Sequence, residues 1–548
     1  MHTLEELLRK RIGYGLQRKS ISKCSTWAEK YRIMGGKSFA GKFTFKYHPW
    51  ARDLHDATEE LVIGQKAAQM GYTEAVLNKA LFEIDINNTS VLYVLPTSSP
   101  DASDFSTSRF DAALDLSEHL NTLFTDVKNI GHKRAGAANL YIRGSRSKSQ
   151  LRSIPVGLII ADEVDVFVQE NIPLMFERTS GQIEKQTFMI STPTVEGYGI
   201  NVYFNSSSQD HYFFKCPHCS KLIELSFENL VMTSDDFEDP KIRESYIICG
   251  ECGGVLQHDE KPNYYETGRW VQGYTDKISK GFYINQLYST ALRPFEIAVS
   301  YLKGLLDPTD EQEFFNSKLG LTHSVKGAQI NDADFLDCEG NFTKVDKYTG
   351  QGMVTLGVDV GAKLHYVVLK WVIRGTISND INILALSQVI KEGSVDNFEE
   401  LDTLMLKYRI RFCIIDANPE KRKALEFARR FYGRVKMCYY GNNVSGKQIN
   451  VHDEAECSVT VDRTSWMDTH LSRYKSKRIS LPQDLSLEFK SHLKAPIRVY
   501  KKDADGNPVG RYVSGNKPDH LAHAGVYAEL ALPLGASLSK SLNILRKT

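Results

Sequence analysis

Residues 64 to 74 read GQKAAQMGYTE, a loop between a short apolar run and a segment with apolar residues at Val76, Leu77, Leu81 and Ile84. Strand, loop and helix in that order let backbone N–H groups converge on phosphate oxygens at a helix start. The common pattern closes with Gly-Lys-Ser/Thr, whereas Gly71, Tyr72 and Thr73 close this loop without a lysine. Lys66, at its front, is the cation placed to reach over the loop. Gly71 suits the turn, and Thr73 offers a hydroxyl for Mg²⁺. A plain strand-to-helix turn with a surface lysine has the same local pattern.

The run VGLIIADEVD ends a strand-like segment in two successive carboxylates. They suit two tasks beside a nucleotide, with Asp162 holding Mg²⁺ through water and Glu163 polarising the attacking water. A solvated acidic turn is the alternative. QTFMISTPT carries another apolar run into Ser191, Thr192 and Pro193, where hydroxyls can sense a terminal phosphate. Arg143, Arg146 and Arg152 all precede the acidic run, and spacing singles out none of them as a transition-state cation.

Cys216-Pro-His-Cys219 and Cys249-Gly-Glu-Cys252 are two CxxC pairs separated by residues 220–248. Four thiolates complete a tetrahedral Zn²⁺ shell with no open position, so the expected role is structural. Glycines at 250, 253 and 254 permit the turns, and His218 reads as a turn residue. Neither pair opens a helix, which argues against a redox pair.

Two later strand-like runs, LGVDVG and CIIDAN, end in Asp359 and Asp416. Carboxylates on adjacent strand ends can share two divalent ions, Mg²⁺ or Mn²⁺, for in-line attack at phosphorus. A third ligand is expected from KPDHLAHAGVYAELAL, where Asp519 and His523 fall on one helical face. Either is a candidate. Lys421, Arg422 and RYKSKRIS at 473 to 480 are candidate backbone-phosphate contacts, or solvated faces.

Positioning these groups takes several elements. Strand-like runs at 60–63, 90–96, 139–144, 156–162 and 186–192 alternate with helix-length segments, the signature of a mostly parallel sheet covered by helices. Residues 211–259 turn to Cys, His, Gly and aromatics, as in a small module not held by a core. From Met353 three strand-like runs with short breaks predict hairpins. A helix at 396–409, RFCIIDA, a helix at 420–432, VKMCYYG and helical residues from about Asp519 to Leu532 follow. That order predicts a second α/β domain.

At 548 residues the chain needs several domains. Charge is balanced, 68 Lys plus Arg against 67 Asp plus Glu, so a nucleic-acid contact must be local rather than a bulk basic field. Nine cysteines do not make a disulfide framework. No apolar run approaches the roughly 18 residues that cross a bilayer, and MHTLEELLRKRIGYG lacks a secretory core, so a cytoplasmic location is expected. Leu4, Leu7 and Leu8 and the basic end LRKT are candidate docking points or frayed termini.

Taken together, these motifs resemble the large subunit of tailed-bacteriophage terminases, particularly the lambda-like GpA type. The resemblance rests on KAAQMGYT with its early lysine, LRSIPV from Leu151 to Val156 before LIIADEVD, and Ser191 to Thr194. It also rests on WAEKYR at 27–32, both CxxC pairs, GRWV at 268–271 and FFNSKLG at 314–320. It implies a P-loop ATPase with a parallel sheet, a zinc-ribbon insert and a ribonuclease H-like nuclease. The function implied is ATP-driven packaging of double-stranded DNA into a procapsid in the host cytoplasm, coupled to cutting of a concatemer. A portal protein, a small terminase subunit and a homo-oligomeric ring are the partners implied. In that family an aromatic segment ahead of the sheet contacts adenine, and Tyr47, His48 and Pro49 stand there. Many members carry an acid where this chain has His523.

The domain organisation expected is a helical segment at 1–42, an ATPase at 43–208, a zinc-ribbon insert at 209–262, a connector at 263–345, a nuclease at 346–535 and a tail at 536–548. Two rivals remain. A repair helicase-nuclease should carry arginine motifs after the coupling segment, and none is found. A zinc-ribbon DNA-binding scaffold with both sites dead should bind nucleotide without turnover.

Overall fold

Apolar runs long enough for one strand but too short for a stable helix, rich in Val, Ile and Tyr, dominate the first half of the chain. In the computed structural model they become strands of one large mixed sheet. The structure describes residues 5, 9, 21–36, 40–124, 127–152, 154–373, 380–441, 444–502, 508–515 and 517–545. Leu4, Leu7, Leu8, Ser153 and the last three residues lie outside these. The chain divides into two units, Met1–His323 and Ser324–Thr548.

In the first unit the central strands are β1 (Leu61–Lys66), β2 (Val91–Leu95), β3 (Ala138–Gly144), β4 (Leu158–Asp162), β5 (Gln186–Ser191), β6 (Asp210–Lys215) and β7 (Lys280–Ile284). They lie in the order β6-β7-β1-β5-β4-β2-β3, every neighbouring pair parallel. Antiparallel strands extend both ends, through Leu222–Ile223 and Arg269–Val271 on β6 and His132–Ala135 on β3. Strands β1, β2, β4 and β5 are buried along nearly their whole length, as a sheet covered on both faces requires. Helix α1 (Tyr72–Asp85) follows β1 and packs on one face.

The stretch 263–345 does not form the expected connector. Its first part supplies β7, which pairs with β1 from Lys280↔Val62 to Ile284↔Lys66. Its last part, the helix Asp332–Cys338, packs within the second unit. KGFYI is short and set among turn residues, and it fills the place between β6 and β1, parallel to both and adjacent to neither in sequence, so local pattern does not reveal it. The expected insert likewise begins inside the sheet, at β6.

In the second unit, β8 (Met353–Val360), β9 (Leu364–Ile373) and β10 (Ala385–Val395) pair antiparallel in sequence. β11 (Phe412–Asp416), β12 (Val435–Tyr440) and β13 (Ser458–Val461) then add in parallel on the far side of β8. Helices α2 (Phe398–Lys407), α3 (Lys421–Arg430), α4 (Arg463–Lys475), α5 (Leu487–Lys494) and α6 (His520–Leu545) accompany this sheet. α6 lies directly on β8. A Cβ at Gly357 would come 2.0 Å from Ala524 O and 2.2 Å from Ala528 N, so only glycine permits this approach. Thr355 Oγ1 donates to Ala528 O at 2.7 Å beside it.

One buried cluster was not anticipated. Arg473 bonds Glu529 through two nitrogens, at 2.6 and 2.7 Å, and both side chains are buried. Asn382 donates to the same carboxylate at 2.6 Å. The run RYKSKRIS is therefore not a free phosphate-binding surface: Lys475 pairs with Asp334, Lys477 with Asp337, and Arg478 donates to backbone carbonyls. Lys421 and Arg422 on α3 remain exposed.

Candidate functional site

The carboxyl ends of three adjacent strands, β1, β5 and β4, converge on one cavity of about 770 Å³ in the first unit. Lys66 ends β1, Thr192 follows β5, and Asp162 and Glu163 end β4. Lys66 Nζ lies 3.4 Å from Thr192 Oγ1, 126 residues later, and 3.5 Å from Glu163 Oε1, 97 residues later. The ammonium is buried, so its charge is available to a ligand rather than spent on water. Gly71 takes φ +82° at the start of α1, the left-handed turn for which glycine is suited. Thr73 follows in the first turn and lines the same cavity.

Asp162 is buried, with Tyr93 donating to its Oδ2 at 2.8 Å and its Oδ1 without a partner. Burial first, and the Glu163 carboxylate second, push its carboxyl up to about 6, against the opposing pull of Lys66. Glu163 itself adopts φ +66°, unusual for a side chain with a Cβ and typical of functional sites. Its amide donates to Ile190 O at 2.9 Å, tying β4 to β5 at their carboxyl ends.

Tyr72 lines the same cavity. Its ring packs under β1, where a Cβ at Gly64 would come 2.7 Å from it, and its hydroxyl is buried without a partner. Tyr47 and His48 line the cavity beside Phe43, and His48 lies against Gly71. Trp50 Nε1 donates to Met70 O at 2.9 Å, pinning this aromatic segment to the loop. Arg143 is bonded to the carbonyls of Gly131 and Ile142. Arg109, which no spacing argument singled out, lines the cavity and bonds Glu74 at 3.2 Å.

The segment after α1's sheet partners contributes more than its sequence signals. Ala68 N donates to Ser317 O at 2.8 Å, and Gln65 Nε2 to Gly320 O at 3.0 Å. Gly320 has φ +67°, and a Cβ there would come 2.6 Å from Ala67 N. The same segment grips the tip after β5: Asn316 Nδ2 and the His323 amide donate to Thr194 O at 2.8 and 3.1 Å.

The four cysteines meet. One Sγ from each of Cys216, Cys219, Cys249 and Cys252 lies within 4.8 Å of the others. The His218 and Glu251 amides donate to Cys216 Sγ and Cys249 Sγ, each at 3.4 Å, which orients the lone pairs of two sulfurs. His218 turns away, its Nε2 2.8 Å from Val255 O. Of the three glycines, Gly253 takes the left-handed turn, at φ +70°, and Gly254 admits the His218 ring. This donor set suits Zn²⁺.

In the second unit Asp359 and Asp416 end neighbouring parallel strands whose last paired residues are Val358 and Ile415. Burial and then Asp359 raise the Asp416 carboxyl to about 6. Asp359 Oδ2 is 2.8 Å from His520 Nδ1, and Asn418 N donates to Asp416 Oδ1 at 3.1 Å. Asp519 and His523 meet each other, Oδ2 to Nε2 at 3.4 Å. His523 also lies 3.0 Å from Tyr440 Oη and 3.2 Å from Arg463 Nη2. Burial would raise the Asp519 carboxyl, but the bond and charge of His523, with Ser514 and Arg463, hold it well below the usual range. Among the described residues the three aspartates do not form a group with all donors within 4.8 Å.

Residues 37–270 match the family described as phage terminase large subunit gpA, ATPase domain. No curated protein matches the chain. Among solved structures, the chain is similar to the large terminase of bacteriophage HK97, at 12% identity over 94% of this chain and 99% of that one, with a TM-score of 0.46. It is also similar to the large terminase of the thermophilic bacteriophage D6E, at 10% identity over 89% and 98%, with a TM-score of 0.30. The large terminase nuclease of thermophilic phage G20c is similar over 36% of this chain and 97% of that one, at 14% identity and a TM-score of 0.24. Residues 37–270, less than half of the chain, are thus similar to the ATPase domain of gpA-type phage terminase large subunits.

Proposed function

We propose that the chain is the large subunit of a DNA-packaging terminase, using ATP to translocate double-stranded DNA into a procapsid and cutting the DNA with a metal-dependent nuclease. The observation that carries this reading is the meeting of Lys66, Thr192 and Glu163 at one cavity from three strand ends. Lys66 pairs with phosphate charge, and the Thr192 hydroxyl senses the terminal phosphate. Thr73 and the unpartnered Asp162 Oδ1 are oxygen donors suited to Mg²⁺, which when bound neutralises charge on the phosphates. Glu163 orients the attacking water and takes up its proton.

In the second unit Asp359 and Asp416 supply carboxylates to divalent ions, Mg²⁺ or Mn²⁺, which when bound activate water and stabilise the leaving oxygen. Asp519 is the third donor and His523 orients it, since the two side chains already touch. The four cysteines hold a structural Zn²⁺ in a ribbon-like insert. The portal protein, the small terminase subunit and a ring of copies follow from the terminase reading. ATP turnover stimulated by DNA, abolished by Glu163→Gln with nucleotide binding retained, is the expected result. Plasmid cutting with Mn²⁺ should disappear in Asp359→Asn. Binding without turnover in the parent chain would instead indicate a dead scaffold, and cutting by Asp359→Asn would refute the nuclease assignment.

A further inference from the structure

A second set of metal-binding side chains meets in the C-terminal unit, outside the aspartates. His365 stands near the start of β9, and Glu488 and His492 are four residues apart on α5, so both face the same way. One donor atom from each of the three lies within 4.8 Å of the others. His365 Nε2 is 3.7 Å from Glu488 Oε1. Both imidazoles are buried, at 8% and 6% exposure, while the Glu488 side chain is half exposed. His365 Nδ1 is buried without a hydrogen-bond partner, a state that buried polar atoms in folded proteins seldom keep.

We propose that His365, Glu488 and His492 form a binding site for one divalent transition-metal ion, separate from the aspartate pair and from the four cysteines. Two imidazoles and a carboxylate favour zinc or manganese over magnesium or calcium, and three protein ligands leave a position open to water. His492 Nδ1 accepts from the Leu521 amide at 3.3 Å. Whichever ring nitrogen turns to the ion, loading gives up that bond, because an Nε2 ligand puts the ring proton on Nδ1. The released amide lies in the first turn of α6, where an N–H has no helical partner in any case.

The site touches the aspartates through one ring. His520, in that same turn, stacks on His365 with centroids 4.5 Å apart and planes 11° apart, and its Nδ1 lies 2.8 Å from Asp359 Oδ2. An ion on His365 and His492 fixes the ring against which His520 rests.

The test uses the full chain, freed of metal with a chelator and dialysed against micromolar Zn²⁺ with millimolar Mg²⁺ present to occupy hard oxygen sites. The proposal expects Glu488→Gln and His492→Gln each to retain one equivalent of zinc fewer than the parent. It expects Cys216→Ser to lose a different equivalent, additive with the first. With Co²⁺ as probe, the two α5 variants should lose the part of the visible d–d absorption that persists in Cys216→Ser, while the thiolate-to-cobalt band is unchanged. Glu488 is half exposed, so its variant tests the site without disturbing a core position. Zinc content and cobalt spectrum equal to the parent in Glu488→Gln and in folded His492→Gln would overturn the proposal. The outcome does not depend on the nuclease reading, because the measurement is of bound metal and not of DNA cutting.

Discussion

The Tyr93 hydroxyl donates to Asp162 Oδ2 at 2.8 Å, between two fully buried side chains on adjacent strands. The Tyr93 ring is held by Phe105, stacked at 4.9 Å, and by Phe110, edge-on at 5.5 Å. One carboxylate oxygen is thereby fixed and the other left buried without a hydrogen-bond partner. Tyr93→Phe keeps the ring and removes the tether. Turnover should fall about tenfold, equivalent to ~1.4 kcal/mol, with a raised Mg²⁺ requirement. Unchanged turnover and Mg²⁺ dependence would reduce Tyr93 to a packing residue.

Gly320→Ala places a methyl 2.6 Å from Ala67 N at a left-handed backbone position. The loop from Lys66 to Thr73 has to shift, so nucleotide affinity should drop by at least tenfold. Fluorescent-nucleotide titration beside a far-UV spectrum separates this from global unfolding. Parent-like affinity would mean that the loop tolerates displacement.

Cys216→Ser leaves three thiolates where a closed tetrahedron needs four. Structural zinc supplies on the order of 10 kcal/mol to the segments it folds, so the small sheet Leu230–Leu256 should lose amide protection first. Hydrogen exchange read by mass spectrometry checks this, and uniform protection in the variant would speak against a structural ion.

Glu529→Ala strands the buried Arg473 guanidinium. Removing one partner of a buried pair costs about 3–5 kcal/mol, against little for replacing both by apolar residues. Denaturant unfolding of Glu529→Ala and of Arg473→Met with Glu529→Leu should show the double variant as the more stable. The reverse order would assign the pair a net stabilising role.

Asp416 has its carboxyl raised to about 6 from an ordinary 3.8, chiefly by burial. A raised carboxylate binds its proton more tightly folded than unfolded. The metal-free protein therefore loses stability from this group as pH rises from about 4 to 6. Divalent ions should reverse the trend, and Mn²⁺ affinity should weaken as pH falls through about 6. Calorimetry at several pH values checks both signs, and a flat Mn²⁺ affinity between pH 5 and 7 would contradict them.

The apolar runs of β1, β2, β4 and β5 in the first sheet and of β8 in the second were readable because burial on both faces demands continuous apolar stretches. The acids after them were readable for the same reason: a carboxylate ending such a run must be explained. β7 was not, since KGFYI is short and adjacent in sequence to neither of its partners. Tyr93 was hidden because an aromatic inside VLYVL looks like core, and its hydroxyl acquires meaning only once β4 lies alongside. RYKSKRIS read as a backbone-phosphate contact or a solvated face, yet the lone acid in the apolar helix segment GVYAELAL was the signal for a buried counterion. Asp519 and His523, left as alternatives by spacing, touch each other.

Residues 312 to 323 bond the end of β1 and the loop after it through Gly320 and Ser317, and the tip after β5 through Gln312, Asn316 and His323. Two rims of the cavity thus share one strap in addition to their own pairing in the sheet. On the proposed reading, gain or loss of a terminal phosphate at one rim has a second route to the other through that strap.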